Sequence, residues 1–78
     1  MVKKPYPRNR DIGEAIIAVL AKNPLLHPAD LYLNVVEELE RRGFYAGLVT
    51  EKRVWRVYEK MVRRGEMYDV LDVVTRKR

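Results

Sequence analysis

The sequence of 78 residues contains no cysteine, which excludes disulfide bonds, thiolate chemistry and cysteine-based zinc sites. No apolar run approaches the roughly 18–20 residues needed to cross a bilayer. Residues 1–10 lack the apolar segment of a secretion signal. We therefore expect a cytoplasmic protein that is not associated with a membrane.

Serine and glutamine are also absent, whereas charged residues make up 35 % of the chain. This bias is typical of heat-adapted proteins, in which ion pairs are favoured and thermolabile amides are avoided. The composition therefore suggests a thermophilic source.

Motifs for catalysis or metal binding are missing as well. The sequence shows no nucleophile–base pair, no glycine-rich phosphate loop and no cluster of carboxylates with histidine. His27 is the one histidine, and a lone histidine before a proline is typical of a helix cap or a surface position. Asp69 and Asp72 would point to opposite faces of a strand, so they would not form a metal pair. We expect neither enzymatic activity nor a cofactor.

Positive charge is what the chain has in excess, with a net charge of +5 and a pI of about 9.7. Residues 1–10 and residues 43–65 each carry +4, residues 11–42 carry −3, and residues 66–78 balance at zero. Localised basicity of this kind points to a polyanionic partner.

Residues 50–65 are predicted to form a helix with two chemically distinct sides. At about 100° per residue, the large apolar residues share one arc of about 160°. They are Val54, Trp55, Val57, Tyr58, Met61 and Val62. The opposite side collects Lys52, Arg53, Arg56, Lys60, Arg63 and Arg64, with Glu59 at its border. Thr50 suits the N-cap and Gly65 the C′ position. Either this side is an ordinary solvated face, or it contacts phosphate.

Two further helices are predicted before it. Residues 11–22 begin with a possible capping box, Asp11 and Glu14, and end at Asn23-Pro24. Residues 28–42 begin with Pro28 at the first helical position, which makes His27 the N-cap. The predicted buried positions are Ile12, Ala15, Ile16, Val19, Leu20, Leu31, Tyr32, Val35, Val36 and Leu39.

The remaining segments are less regular. Residues 1–10 contain two prolines, and we expect them to form a mobile or loosely docked basic arm. The arm could follow a DNA backbone, enter a minor groove or act only as a solubilising tail. Residues 44–49 predict a short connector, and the valines of residues 67–74 favour a strand. That strand needs a neighbour, which could be the connector, the arm or the same strand of a second subunit in a homodimer.

The order helix, helix, connector, basic helix, glycine and strand resembles a winged helix-turn-helix domain. The runs LYLNVVEELERRG and LVTEKRVWRVYEKMVRRG carry the resemblance. Their spacing is similar to that of small archaeal winged-helix proteins and, more loosely, of the C-terminal domain of archaeal origin-recognition proteins. The resemblance implies a mainly α, three-helix domain over residues 11–74, with a basic arm at 1–10 and a basic tail at 75–78. Winged domains normally have two wing strands, so a short or truncated β wing is expected here.

The resemblance also implies binding of double-stranded DNA with the third helix in the major groove, in a small transcriptional regulator or DNA-organising protein. Carried over position by position, DNA contact falls on Lys52, Arg53, Arg56, Lys60 and Arg63. In the arm, Lys3, Lys4 and Arg8 would contact the same DNA. Because arginine can pair with guanine, Arg53 and Arg56 are the expected base contacts.

Two other functions remain open. The domain could be a protein-docking module, with the acidic second helix meeting a basic partner and Trp55 acting either as an interface anchor or as a core residue. It could also associate with RNA or the ribosome, for which Tyr6 and Tyr45 are the stacking candidates, although no exposed aromatic platform is evident.

Overall fold

The computed structural model describes residues 3–71, and within that range the chain forms three α-helices: α1 (Asn9–Lys22), α2 (Leu31–Arg41) and α3 (Glu51–Arg63). A short 3-10 helix, Pro28–Asp30, leads into α2. The described part of the chain contains no strand. The prediction of a mainly α, three-helix fold is confirmed. The predicted basic tail at 75–78 lies outside the described residues.

α1 begins two residues earlier than predicted, with Arg8 at the N-cap. Asp11 lies at the third helical position, and its Oδ2 atom accepts a hydrogen bond of 2.8 Å from the Arg8 backbone N–H. A carboxylate at this position can satisfy a backbone donor ahead of the helix. The prediction of Asp11 as the first residue of a capping box with Glu14 is therefore wrong.

The predicted boundaries of α3 are confirmed. Thr50 is the N-cap, and its Oγ1 atom accepts a hydrogen bond of 3.1 Å from the Arg53 backbone N–H. Gly65 has φ +76°, a conformation that L side chains rarely adopt, and it ends the helix as expected.

At the start of α2, the predicted cap is confirmed, but the predicted α-helical first turn is wrong. His27 Nδ1 accepts a hydrogen bond of 3.0 Å from the Ala29 backbone N–H, so the predicted histidine cap is present. The turn from Pro28 to Asp30 is 3-10, however, and the α-helix begins only at Leu31. Gly43 ends the helix with φ +94°.

The three helices enclose one apolar core. Its buried members are Ile12, Ala15, Ile16, Val19, Leu20, Leu26, Leu31, Val35, Leu39, Ala46, Val49, Val54, Val57, Tyr58 and Met61. Tyr32, Val36, Trp55 and Val62 are partly buried against this cluster. The predicted buried positions on the helices are thus confirmed, four of them as edge residues.

The connection between α2 and α3 spans residues 42–50, nine residues. This is longer than the turn of three to four residues in an ordinary helix-turn-helix. Ala46 and Val49 of the connection are buried, and the Tyr32 hydroxyl donates a hydrogen bond of 2.9 Å to the Val49 carbonyl oxygen. The connector therefore packs as a fixed part of the core.

The strand predicted over residues 67–74 is wrong for residues 67–71, and residues 72–74 lie outside the described residues. The Val70 N–H donates to the Tyr68 carbonyl oxygen in a tight turn, and the Leu71 N–H donates to the Tyr58 hydroxyl. The backbone N–H groups of Val70 and Leu71, which we expected to bond to a neighbouring strand, thus bond to a nearby carbonyl oxygen and to a buried side chain. Homodimerisation through this segment stays a prediction.

Tyr58 joins α3 to the segment that follows it, and removing its hydroxyl should weaken the fold. The phenol is buried, donates 2.6 Å to Asp69 Oδ1 and accepts 3.0 Å from the Leu71 N–H. We expect Tyr58→Phe to lower the free energy of unfolding by about 1–3 kcal/mol, because one of the lost bonds involves a charged group. Urea denaturation measures the change. The control Tyr68→Phe, at a position 90 % exposed, should change it by less than about 0.5 kcal/mol. Equal effects of the two substitutions would contradict the anchoring role.

Candidate nucleic-acid interface

α3 separates apolar and cationic residues around its axis. Its inner face buries Val54, Val57, Tyr58 and Met61 in the core. The burial fixes the rotation of the helix, and the cationic arc therefore faces outward. α3 is 13 residues long, or about 20 Å at 1.5 Å per residue.

Lys52, Arg56 and Lys60 form the open part of the basic face. All three are exposed, and they follow one another at i, i+4 spacing, so successive side chains are about 6 Å apart along the axis. Within residues 3–71, no carboxylate oxygen lies within 4.0 Å of their charged nitrogens. The three cations therefore face solvent without a described counter-charge.

Arg63 is exposed but paired with a carboxylate. Its guanidinium contacts Glu59 Oε2 at 2.8 Å, one turn earlier on the same helix. Exposed pairs of this kind contribute only about 0.3–0.5 kcal/mol. Arg63 can consequently exchange Glu59 for another anion at little cost, although Glu59 itself repels anions at this border.

Arg53 is only partly exposed, because it holds the N-terminal arm. Its Nη2 atom donates 3.0 Å to the Pro7 carbonyl oxygen, and its Nε atom donates 3.1 Å to Asn9 Oδ1. Pro7 is buried. The predicted base contact thus ties α3 to the start of α1.

The described part of the arm before α1, residues 3–8, contacts both α3 and the connector. Besides the contacts of Arg53, the Tyr45 N–H donates 2.8 Å to the Pro5 carbonyl oxygen. Lys3, Lys4 and Arg8 remain exposed on this docked segment. Arg8 therefore lies between two residues that are bonded to Arg53 on the first turn of α3, whereas Lys3 and Lys4 lie beside Tyr45 and Leu48 of the connector.

Two cations outside the predicted set, Arg10 and Arg64, lie beside the basic face among carboxylates, and Arg10 Nε is 3.9 Å from Glu14 Oε2. A cleft between α1 and α3 is lined by Arg10, Lys60 and Arg64, together with Glu14 and Glu66. Arg64 belongs to the cationic arc in the sequence, so periodicity could have included it. Arg10 carries no such signal, since its position next to α3 depends on how the two helices pack.

A second group of cations is neutralised elsewhere. Glu38 is buried on α2 and contacts Lys22, Arg41 and Arg42. The hydrogen bond from Arg42 is the main cause that lowers the pKa of Glu38 from its ordinary value, and the charges of Lys22 and Arg41 act in the same direction against the effect of burial. These three cations are not part of the basic face.

Other kinds of site find no support in the described part of the chain. Residues 3–71 hold no group of three or more histidine, aspartate or glutamate side chains placed to share a metal ion. None of the helices in this range combines the length and apolar character that a bilayer crossing requires. Comparisons with known proteins found no matching family model, no matching curated protein and no matching solved structure.

Releasing the arm from Arg53 should loosen it measurably. In Arg53→Met the apolar stem is kept, but the bonds to Pro7 and Asn9 are lost. We expect hydrogen exchange of the Tyr45 amide, which is bonded to Pro5, to accelerate by about fivefold or more, the factor that a loss of about 1 kcal/mol implies. Arg56→Met removes the same charge from the same helix without an arm contact and should leave this amide unchanged. A Tyr45 amide that exchanges equally fast in both variants would contradict the tether.

The cluster around Glu38 should make stability depend on pH. Because the folded pKa lies below the ordinary value of 4.5, the contribution of Glu38 is fully present above that value and is lost as the pH falls through the folded pKa. We expect Glu38→Gln to lower the free energy of unfolding by about 1–3 kcal/mol at neutral pH. In urea denaturation the deficit should shrink as the pH falls below 4.5. Glu37→Gln, exposed on the same helix, is the control. A deficit that is the same at all pH values would contradict the ionic role.

Proposed function

We propose that this protein binds double-stranded DNA through the outward face of α3, as a small transcriptional regulator or DNA-organising protein. The observation that carries the proposal is the row of exposed cations Lys52, Arg56 and Lys60 on a helix whose other side is buried in the core. An ordinary solvated helix face mixes both signs of charge, whereas this one is nearly all positive.

The dimensions of the row suit a duplex. A major groove about 12 Å wide admits an α-helix, and cations along that helix neutralise the phosphates at the groove edges. The row from Lys52 to Lys60 spans about 12 Å of helix axis at 1.5 Å per residue. Lys3, Lys4 and Arg8 of the docked arm supply further charge at the start of α3.

We expect the affinity for DNA to be large and the sequence specificity to be modest. Among the arginines of the first two turns, Arg56 is the one whose guanidinium makes no described hydrogen bond or ion pair, so it is the best candidate to read guanine. α3 carries no asparagine, and the chain contains no serine or glutamine. These are the other common residues that contact bases and anchor phosphates. Phosphate contacts would then supply most of the binding free energy.

The winged helix-turn-helix assignment belongs to the same proposal. It is supported by three helices with the basic one last, while the nine-residue connection between α2 and α3 departs from the usual short turn. A wing contact with DNA is not proposed, because residues 67–71 contain no strand.

A second candidate function is protein docking through α2. Asp30, Leu33, Glu37 and Glu40 are exposed at helical spacing on its outer side, and Leu33 is 61 % exposed. An apolar residue inside an acidic face fits a partner with a basic rim. This face lies on a different helix from the basic row, so the two functions can be separated by mutation.

Titration of a labelled DNA duplex at several salt concentrations tests the proposal. With about five phosphates neutralised, the slope of log K against log salt should be roughly −4 to −5. We expect Arg56→Gln and Lys60→Gln each to weaken binding and to reduce the magnitude of the slope by about 0.9.

Arg41→Gln is the matched control, since it removes one charge from the cluster around Glu38 and leaves the basic face intact. A slope near zero, or equal losses in Arg56→Gln and Arg41→Gln, would overturn the proposal. Charge reversal at Arg56 and Lys60 tests the second candidate function. If the variant no longer retains DNA but still captures a protein partner, docking is assigned to α2 in addition.

A further inference from the structure

Two exposed tyrosines meet where the arm crosses the connector between α2 and α3. The rings of Tyr6 and Tyr45 lie with their centroids 5.5 Å apart and their planes inclined by 50°. Tyr6 is 64 % exposed and Tyr45 is 45 % exposed. Together with Lys3, Lys4, Pro5 and Leu48 they line one shallow surface groove, here called the tyrosine groove.

The tyrosine groove is held in place by backbone contacts on both sides. The Tyr45 N–H donates to the Pro5 carbonyl oxygen, and Arg53 binds the Pro7 carbonyl oxygen. Tyr6 lies between two prolines whose φ angles are fixed. Since the arm is already ordered, a ligand that uses these rings need not order it on binding.

Gly47 makes room for one of the two rings. A Cβ atom at this position would lie 2.5 Å from the Tyr45 hydroxyl oxygen and 2.7 Å from ring carbon Cζ. A larger residue would therefore push the Tyr45 ring aside. The glycine thus leaves room for the Tyr45 ring in the position where it contacts Tyr6.

The charge around the groove selects an anionic ligand. Lys3 and Lys4 are exposed at its edge, and no aspartate or glutamate is among its lining residues. Two ring faces beside two ammonium groups match a nucleobase joined to a phosphate, because each base stacks on an aromatic ring while the backbone meets the cations. A proline-rich peptide would use the rings but not the lysines.

The groove lies near the N-terminal end of α3, since Leu48 in its lining precedes the N-cap Thr50 by two residues. Tyr6 is adjacent in the chain to Pro7, whose carbonyl oxygen is bonded to Arg53 on the first turn of α3. A nucleic acid that lies along α3 would thus reach the groove at the N-terminal end of the helix.

We propose that the tyrosine groove binds an unpaired nucleotide that extends from the duplex held by α3, so that the protein prefers duplexes with a single-stranded extension. This inference rests on the proposed function, because α3 is taken to hold the paired part. It also assigns Tyr6 and Tyr45 a stacking role that the sequence offered only as a weak candidate.

Fluorescence anisotropy with two labelled probes tests the inference: a blunt duplex and the same duplex with a single-stranded oligothymidine extension. One stacked base contributes about 1–3 kcal/mol, so the extended probe should bind about 5- to 150-fold more tightly. Tyr6→Leu, Tyr45→Leu and Gly47→Ala should each reduce this ratio toward one and leave binding of the blunt duplex nearly unchanged. Tyr45→Phe keeps the ring and should keep the preference.

Tyr68→Leu is the control, because Tyr68 is exposed outside the groove. Urea denaturation verifies that each variant is folded. Equal affinity of wild type for the two probes, or a preference that survives Tyr6→Leu, would overturn the inference, as would a proline-rich peptide that binds the groove while the extension adds nothing.

Failure of the proposed function has a different signature. If the blunt duplex is not bound, α3 is not a DNA-binding helix. Oligothymidine alone then decides the groove: binding that Tyr6→Leu abolishes supports a nucleotide site, and no binding overturns it.

Discussion

The burial of one side of α3 is the constraint on which the rest of the molecule depends. α3 buries Val54, Val57, Tyr58 and Met61 on one side, and it has no other apolar side that could be buried instead. The core therefore fixes the rotation of α3. The crossing with α1 is close: a Cβ atom at Gly13 would lie 2.9 Å from Met61 Sδ. A helix fixed in this way holds its cations in one orientation, and a charged surface needs that order to match a regular polyanion.

Charge is segregated by position in the fold. Lys22, Arg41 and Arg42 converge on Glu38, which is buried and forms an ion pair with all three. On α3, Lys52, Arg56 and Lys60 make no ion pair with a carboxylate of residues 3–71. A chain with a net charge of +5 can consequently have one neutralised end and one strongly basic face. The local field at the basic face is then larger than the net charge suggests.

Periodicity and end signals sufficed for the helices, because they are local properties of the sequence. Thr50, His27 and Gly65 act at the ends where they were predicted, and the apolar stripes become the core. Two local errors concern the start of α1, which begins at Asn9, and the first turn before α2, which is 3-10. The other errors concern long-range contacts. The valines after Gly65 favour a strand, but the Tyr58 hydroxyl, 13 residues away from Leu71, binds that segment instead. The docking of the arm depends on hydrogen bonds from Arg53 to Asn9 and Pro7, which lie 44 and 46 positions away in the sequence. No short-range pattern predicts such contacts.

Arg53 faces two demands that cannot be met together. Its guanidinium can hold the Pro7 carbonyl oxygen, or it can turn outward to a guanine, but its fixed planar fork does not serve both. A DNA sequence that captured Arg53 would remove the bond to Pro7 and loosen the arm next to Tyr6, although the Tyr45 N–H would still hold Pro5. Sequence reading by this arginine and stacking by that tyrosine are therefore antagonistic, so the tightest site for one mode of binding would be a poor site for the other.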